Sequence, residues 1–357
     1  MTMDWSTLRA SIDLALTSKS SGIKLMFLGG EPLLEFPLIR AAVKYADCKA
    51  PSRKRLKYAI STNGLLITED VAAFLDEHQF ETQLSFDGVA KAQDYRKKGT
   101  FATIDRLLDM LQDKYPDLFE NRLRICMTQI PATIPYLADS VRYLTNKNAQ
   151  QIAISPSLMP SPEWKPDDIQ ELEAQFREIF QFSLRHFRKT DEVPFLLFRK
   201  ERKDSQQPIT ERDMCGVMKG KSVVVDVDGQ VYGCVLFAES YQKFRSSLLK
   251  TCLGPLKMGD LRDPDFWQRR AAFPKAARKA EIFDHKGKKY SSYGRCGKCR
   301  YIGRCSVCPV SIGYDTKNTD PHRVPDFICA FNMVALKYRD LFPCMSNPLT
   351  RLLGKSG

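Results

Sequence analysis

No apolar run in these 357 residues approaches the ~20 needed to cross a bilayer, which excludes a membrane-spanning helix. The opening MTMDWSTLRASIDLAL has no basic region followed by an apolar core, so it does not read as a secretory signal. Internal repeats and low-complexity tracts are absent. Histidine is sparse, and His78, His186, His285 and His322 are scattered as ordinary structural or surface residues. Cysteine is nearly missing from the first 214 residues, where only Cys48 and Cys126 occur. With 43% apolar and 27% charged residues, what remains is a globular composition, expected to be cytoplasmic and free of membrane contact. The length suffices for one large domain and a smaller one, each with its own core.

What is abundant is concentrated. Nine of the 11 cysteines fall between Cys215 and Cys344. An odd number of cysteines in a reducing compartment argues for metal or redox chemistry rather than a disulfide framework. Residues 243–304 hold 17 Lys/Arg against 5 Asp/Glu, so +12 of the formal charge of +13 sits there.

The first part alternates short β-branched runs with amphipathic segments. Strands are expected at 23–28, 56–61, 82–86, 123–129 and 151–155. Val71, Phe74, Leu75 and His78 repeat at helical spacing behind a Thr68 cap, with Glu69 and Asp70 in the first turn. Ile134, Leu137, Ala138, Val141 and Leu144 form a second stripe. Strand-then-helix repetition implies parallel strands, hence an α/β barrel or doubly wound sheet. Pro156, Pro160, Pro162 and Pro166 break the series, and a long helix is expected at 167–188, followed by a charged linker near 199–207. Beyond it, segments 222–227 and 230–235 flank Asp228-Gly229, a signal for a tight hairpin. Two modules result: a βα barrel-like one and a small cysteine-rich one.

Gly29-Gly30-Glu31-Pro32 follows the first expected strand. Strand C-termini form the ligand-binding face of parallel βα folds. Two glycines let backbone groups approach a ligand closely, and Glu31 offers a carboxylate to a ligand ammonium. A plain βα turn is the alternative. Ser61-Thr62-Asn63-Gly64 and Ser85-Phe86-Asp87-Gly88 follow the next two strands. Small hydroxyl and carboxylate groups at three neighbouring strand ends suit a ribose and a charged amino acid moiety, although Asn-Gly and Asp-Gly also favour turns.

Cys296-x2-Cys299-x5-Cys305-x2-Cys308 places four thiols within thirteen residues, with Cys215 and Cys234 upstream and Cys329 downstream. Four thiolates at such spacing close round one tetrahedral Zn²⁺ or one 4Fe–4S cluster, and spacing alone leaves both open. Seven is too many for one site. Cys48, Cys126, Cys252 and Cys344 read as small buried hydrophobes, with Cys252 or Cys344 available as an extra ligand.

Together the GGEP motif, the STNG and S-x-D-G strand ends and the cysteine series resemble the radical S-adenosylmethionine (SAM) enzymes that carry a C-terminal SPASM domain. The resemblance runs over nearly the whole chain. One spacing departs, since Cys305 to Cys308 is x2 where the family has x3. It implies a partial (β/α)6 radical SAM barrel over 1–190, a linker at 191–210, a SPASM domain over 211–335 and a tail at 336–357. It also implies two auxiliary 4Fe–4S clusters. Cys296, Cys299, Cys305 and Cys329 would hold one, and Cys215, Cys234 and Cys308 the other. SAM would contact Gly29, Gly30, Glu31, Ser85 and Ser61, with Asp87 and Arg96 as weaker candidates. A turn residue and a solvated charge are the respective alternatives for these last two.

The family's C-x3-C-x2-C loop, which binds the radical-generating cluster, occurs nowhere in the sequence. The first barrel strand is missing with it, leaving the apolar segment KLMFLG as an edge, so an N-terminus shortened by roughly 25–40 residues is expected rather than a degenerate homologue. The resemblance implies a peptide or protein maturase, inactive as it stands, served by a flavodoxin or ferredoxin-type reductant. In the anaerobic sulfatase-maturating enzymes an Asp follows the cysteine equivalent to Cys234, and Val235 here argues against that subfamily. The alternatives are an iron–sulfur pseudoenzyme that transfers electrons or binds peptides, and a nucleic-acid-modifying enzyme. The basic stretch could attract an acidic leader peptide or RNA, with a solvated basic face as the default.

Overall fold

The computed structural model describes residues 2–159, 161, 163–199, 223–240, 250–251, 254–279, 281–283, 286–313 and 318–343. Five strands, β1 (Gly22–Phe27), β2 (Arg55–Thr62), β3 (Glu81–Ser85), β4 (Leu123–Gln129) and β5 (Ile152–Pro156), form one parallel sheet in sequence order. Helices connect them: α1 (Trp5–Leu16) leads into β1, α2 (Phe36–Lys49) and α3 (Glu69–Glu77) follow, then α4 (Ala90–Lys97), α5 (Phe101–Lys114) and α6 (Leu137–Asn146).

Local chemistry sets these boundaries. Asp4 caps α1 by accepting from the Thr7 amide at 2.7 Å. Thr68 caps α3 through the Val71 amide, with Glu69 and Asp70 against the positive end of the helix dipole. The expected stripe from Ile134 to Leu144 is wholly buried, beginning in a 3-10 turn (Pro131–Tyr136) that runs into α6. The long helix α7 (Ile169–Thr190) ends on Asp191, whose φ of 63° is the left-handed stop common at helix C-termini.

The two sheet faces differ. Parallel neighbours share a face, so the register aligns Phe27, Ile60 and Thr82 on one side and continues through Leu84 and Ile125. That face is buried in the main core, under Phe74, Phe80, Leu107, Val141 and Leu144. The other face carries Ser61 opposite Gln83, Ser85 opposite Cys126, and Thr128 opposite Ser155. A parallel sheet with a polar face leaves that face for something other than a hydrocarbon core. β1 lies at the sheet edge and pairs with β2, and Met26 and Leu28 are each 39% exposed along it.

The cysteine-rich module has a second core of Val231, Phe237, Met258, Phe266, Phe273 and Ile312. The hairpin strands β6 (Val224–Val225) and β7 (Gln230–Tyr232) pair with each other, and β8 (Lys257–Asp260) adds to β7. The turn departs from the tight two-residue form expected at Asp228-Gly229. Four residues, Asp226 to Gly229, close it, with the Gly229 amide donating to the Asp226 carbonyl at 3.0 Å. Only Gly229 takes the left-handed conformation there, at φ 87°. The Asp226 amide still donates to the Gln230 carbonyl at 2.8 Å, so the ladder runs on to Asp226 and the turn is the longer hairpin form with glycine in its left-handed position. The buried Asp226 carboxylate accepts from the Val227 and Ser240 amides at 2.8 and 3.0 Å. After α8 (Phe266–Lys279), a second hairpin pairs β9 (Tyr290–Ser291) with β10 (Gly294–Arg295).

The last helix, α9 (Asp326–Leu341), serves both modules. Phe327, Phe331, Val334 and Tyr338 belong to the barrel core, while Ile328 belongs to the second. Tyr293, in the turn of the second hairpin, donates to the Pro166 carbonyl at 3.1 Å and accepts from the Trp164 indole at 3.0 Å. Among the described residues no helix is long and apolar enough to cross a membrane.

Candidate functional site

At the C-terminal ends of β1 to β3 the chain builds a polar cradle. Ideal Cβ atoms placed on Gly29 and Gly30 meet nothing within 4 Å, so this turn opens into space. Glu31 is turned towards β2. One carboxylate oxygen accepts from the Thr62 hydroxyl at 2.8 Å and the Leu33 amide at 3.1 Å, and the other accepts from the Asn63 amide at 2.8 Å. A carboxylate offers about four lone-pair sites, so these three bonds fix Glu31 and leave it capacity for one more donor. Ser61 and Ser85 are half-buried on the polar face of the sheet.

Asp87 is more than a turn residue, and Arg96, although exposed, is tied to it. Asp87 is 3% exposed and takes both ends of the Arg96 guanidinium, with Nε and Nη2 each at 2.8 Å. The Thr128 amide adds a third bond at 2.8 Å, tying the end of β3 to β4. Beside it, Gln93 accepts from the Asp87 amide at 3.0 Å and donates to the Thr100 hydroxyl at 2.9 Å. This buried network stiffens the floor of the cradle. The sequence offered no sign of it, because its partners lie up to 41 residues apart. A cavity of about 430 Å³ at the opposite end of the sheet, lined by Glu120, Gln151, Glu192 and Arg199 among others, shares no residue with the cradle.

In the cysteine-rich module a 3-10 turn, Cys296–Lys298, brings the Cys299 amide onto the Cys296 carbonyl at 3.0 Å. The next turn closes from the Cys305 amide to the Tyr301 carbonyl at 2.9 Å. Cys329 reaches the same place from α9, and the buried Ser291 hydroxyl donates to its sulfur at 3.1 Å. Cys296, Cys299, Cys305 and Cys329 are half-buried, and every pair among the four is close enough to interact electrostatically.

Burial pushes the Cys296 thiol up, and Cys305 and Cys299 raise it further, while Lys289 and Lys286 draw it back down. Burial also raises Cys305, against the Val307 amide and Lys286. Cys329 is pushed up to about 12, mainly by burial, with the Ser291 hydrogen bond opposing. Among the described residues no group of three or more His, Cys, Asp or Glu is gathered tightly enough for a single metal ion.

Cys234 and Cys308 are half-buried at the rim of the second core, Cys234 opening the 3-10 turn Val235–Phe237. Cys215, Cys252, Cys344 and His285 lie outside the described residues. Cys48 is not the small buried hydrophobe expected of it. It lies on the outer side of α2 and is exposed, since the apolar stripe of that helix runs through Ile39, Ala42, Val43 and Ala46. Cys126 is half-buried on the polar sheet face, where burial raises its thiol.

These environments separate the thiols kinetically. With the metal-free chain at pH 8, iodoacetamide is expected to label Cys48 early and Cys329 last among the thiols of the described residues. A thiol raised to about 12 holds roughly a thousandth of the thiolate of an unperturbed one. Peptide mapping after timed quenching reads the order.

No protein-family model matches the chain. It is 34% identical over 144 residues to an uncharacterized protein of Methanocaldococcus jannaschii, a match covering 40% of this chain and 49% of that protein. It is 27% identical over 163 residues to the radical SAM cyclopropyl synthase TigE of Paramaledivibacter caminithermalis, covering 44% of this chain and 33% of that one. The chain thus spans half or less of the length of these curated relatives. Among solved structures it matches anSMEcpe with bound AdoMet and the Kp18Cys peptide. The TM-score is 0.64 at 16% identity, over 99% of this chain and 90% of that one. The same enzyme with AdoMet alone gives 0.65 at 17% identity, over 99% and 89%. The chain therefore has the fold of the radical SAM enzymes with a C-terminal SPASM domain, and it resembles that family in sequence.

Proposed function

We propose that this chain carries the barrel and auxiliary-cluster regions of a radical SAM/SPASM enzyme that matures a peptide or protein. The observation that carries this reading is the convergence of Cys296, Cys299, Cys305 and Cys329, from two successive turns and a separate helix, into one mutually interacting set. A Zn²⁺ site needs its sulfurs about 2.3 Å from one ion. A looser ring of four thiols suits the wider cage of a 4Fe–4S cluster. Cys234, Cys308 and Cys215 would hold a second cluster. Peptides bound by the structural neighbour support a peptide substrate.

In this family SAM is the source of the hydrogen-abstracting radical, and auxiliary clusters take up or pass on single electrons. The chain's own groups would do the positioning. The open backbone at Gly29 and Gly30 admits the methionine moiety. Glu31, fixed by Thr62 and Asn63, accepts from the ammonium, and the Ser61 and Ser85 hydroxyls face the nucleoside portion. Loading the thiols releases their protons, so iron uptake strengthens as pH rises.

Anaerobic reconstitution with iron and sulfide is expected to give about eight irons per chain. The polypeptide as given, having no C-x3-C-x2-C, is expected not to cleave SAM reductively. A sample that retains zinc and takes up no iron overturns the reading. The cradle has a separate test. Gly30→Val adds a Cβ that meets no atom within 4 Å, so the melting temperature should change little. Its bulk fills the opening, and SAM binding by equilibrium dialysis should weaken about tenfold or more.

A further inference from the structure

Residues 285–314 hold seven Lys/Arg and no Asp/Glu, and the fold sorts these cations into two sets around the four-thiol ring. Lys286 and Lys289 are enclosed, at 8% and 1% exposure. Their enclosure follows from a backbone crossing. The 3-10 turn Lys286–Lys288 lies directly on the Cys296–Lys298 turn, and a Cβ on Gly297 would stand 2.9 Å from the Gly287 carbonyl oxygen. Arg295, Lys298 and Arg300 are exposed instead. They alternate with the half-buried Cys296 and Cys299, so segment 295–300 carries two thiols of the ring and three positive charges facing solvent.

The Arg300 guanidinium lies over the Tyr301 ring, 5.1 Å from its centroid. None of the three exposed cations has an acidic partner among the described residues. The acids of neighbouring elements are engaged by other groups. Asp320 accepts from the Tyr290 hydroxyl at 2.6 Å, Asp326 from the Ser292 amide and hydroxyl at 2.8 and 2.7 Å, and Asp340 from Arg304 at 2.6 Å. Electron tunnelling falls steeply with distance, so a donor to the ring must dock close to it, and only a thin turn separates these thiols from solvent. A cluster of one sign of charge steers an oppositely charged partner and raises its association rate by about 10–10³. Because the charges lie on the turn that holds the thiols, they favour an electron carrier over a nucleic acid.

We propose that segment 295–300 is the docking surface for an acidic one-electron carrier protein, which delivers its electron to the group held by Cys296, Cys299, Cys305 and Cys329. The carrier is oxidised by one electron and the group is reduced by one, with no bond made or broken and no proton moved. Arg295, Lys298 and Arg300 guide the encounter through their charge. The inference rests on the cluster reading above.

Flavodoxin, a small acidic flavoprotein, serves as the probe for the chain reconstituted anaerobically. Stopped-flow absorbance follows reduction of the clusters by reduced flavodoxin, and isothermal titration calorimetry with oxidised flavodoxin reads the complex itself. The double variant Arg295→Glu/Lys298→Glu is expected to be reduced about tenfold more slowly at low salt and to bind about tenfold more weakly. Both differences should close at high ionic strength. Lys44→Glu makes the same kind of charge change on the exposed side of α2 and should alter neither. Photoreduced deazariboflavin, a neutral small reductant, should reduce double variant and wild type at equal rates. If it too is slowed, the change lies in the ring and the docking surface is overturned. An iron-loaded double variant that binds flavodoxin and takes its electrons as the wild type does overturns the surface and leaves the clusters standing, even if its affinity for duplex RNA falls. A wild-type chain without iron overturns the cluster reading and the electron delivery with it.

Discussion

Cys305→Ser is expected to remove about half of the iron, roughly four of eight atoms, from the reconstituted chain. Serine keeps the shape but supplies a hard hydroxyl in place of a soft thiolate, and iron–sulfur clusters depend on the latter. Cys296→Ser, Cys299→Ser and Cys329→Ser should give the same loss, because the four thiols form one interacting set. Cys48→Ser should lose no iron, since that residue is exposed on α2 and belongs to neither set. Iron and acid-labile sulfide assays measure the effect. A full iron complement in Cys305→Ser would remove that residue from the ligand set.

Gly88→Ala is expected to destabilise the barrel by about 3 kcal/mol, combining a left-handed backbone cost of about 1–2 with overpacking of about 1–3. Gly88 has φ 92°, and an added Cβ would stand 2.3 Å from Ser140 Cβ and 2.8 Å from its Cα. Ser140 is fully buried in α6, and its hydroxyl accepts from the Val89 amide at 3.2 Å, so it has nowhere to retreat. Gly64→Ala makes a useful contrast. Its φ is also left-handed at 80°, but the closest neighbour is the tip of Leu84, a side chain that can turn aside. Its cost should be about half as large. Urea denaturation followed by circular dichroism would measure both, and equal costs would show that the Ser140 backbone is not the obstacle.

The barrel was legible because its signals are local. β1 to β5 each stand within a residue of the hydrophobic runs that announce them, and Thr68 caps its helix as its neighbours indicate. Polar strand ends were legible for the same reason. The hairpin was legible in Asp228-Gly229, where Gly229 takes the left-handed position, but the loop is longer than two residues because the Gly229 amide closes onto the Asp226 carbonyl. The Asp87–Arg96 pairing was hidden because either residue alone has an ordinary explanation. Lys286 and Lys289 were hidden within a basic stretch whose other described members are largely exposed. Nothing in a row of lysines tells which two will be enclosed until Gly287 and Gly297 cross.

Helix α9 carries one further consequence. On one side it presents Cys329, and on another it sets Phe331 and Tyr338 against Phe176 of α7 with ring centroids 5.6 and 6.2 Å apart. With Cys329 as a cluster ligand, as proposed above, a ligand on so well anchored a rod could not swing away without dragging the barrel's packing along. Assembly of that centre and consolidation of the barrel would then be one cooperative event, and a chain stripped of its metal would soften at both ends of this helix together.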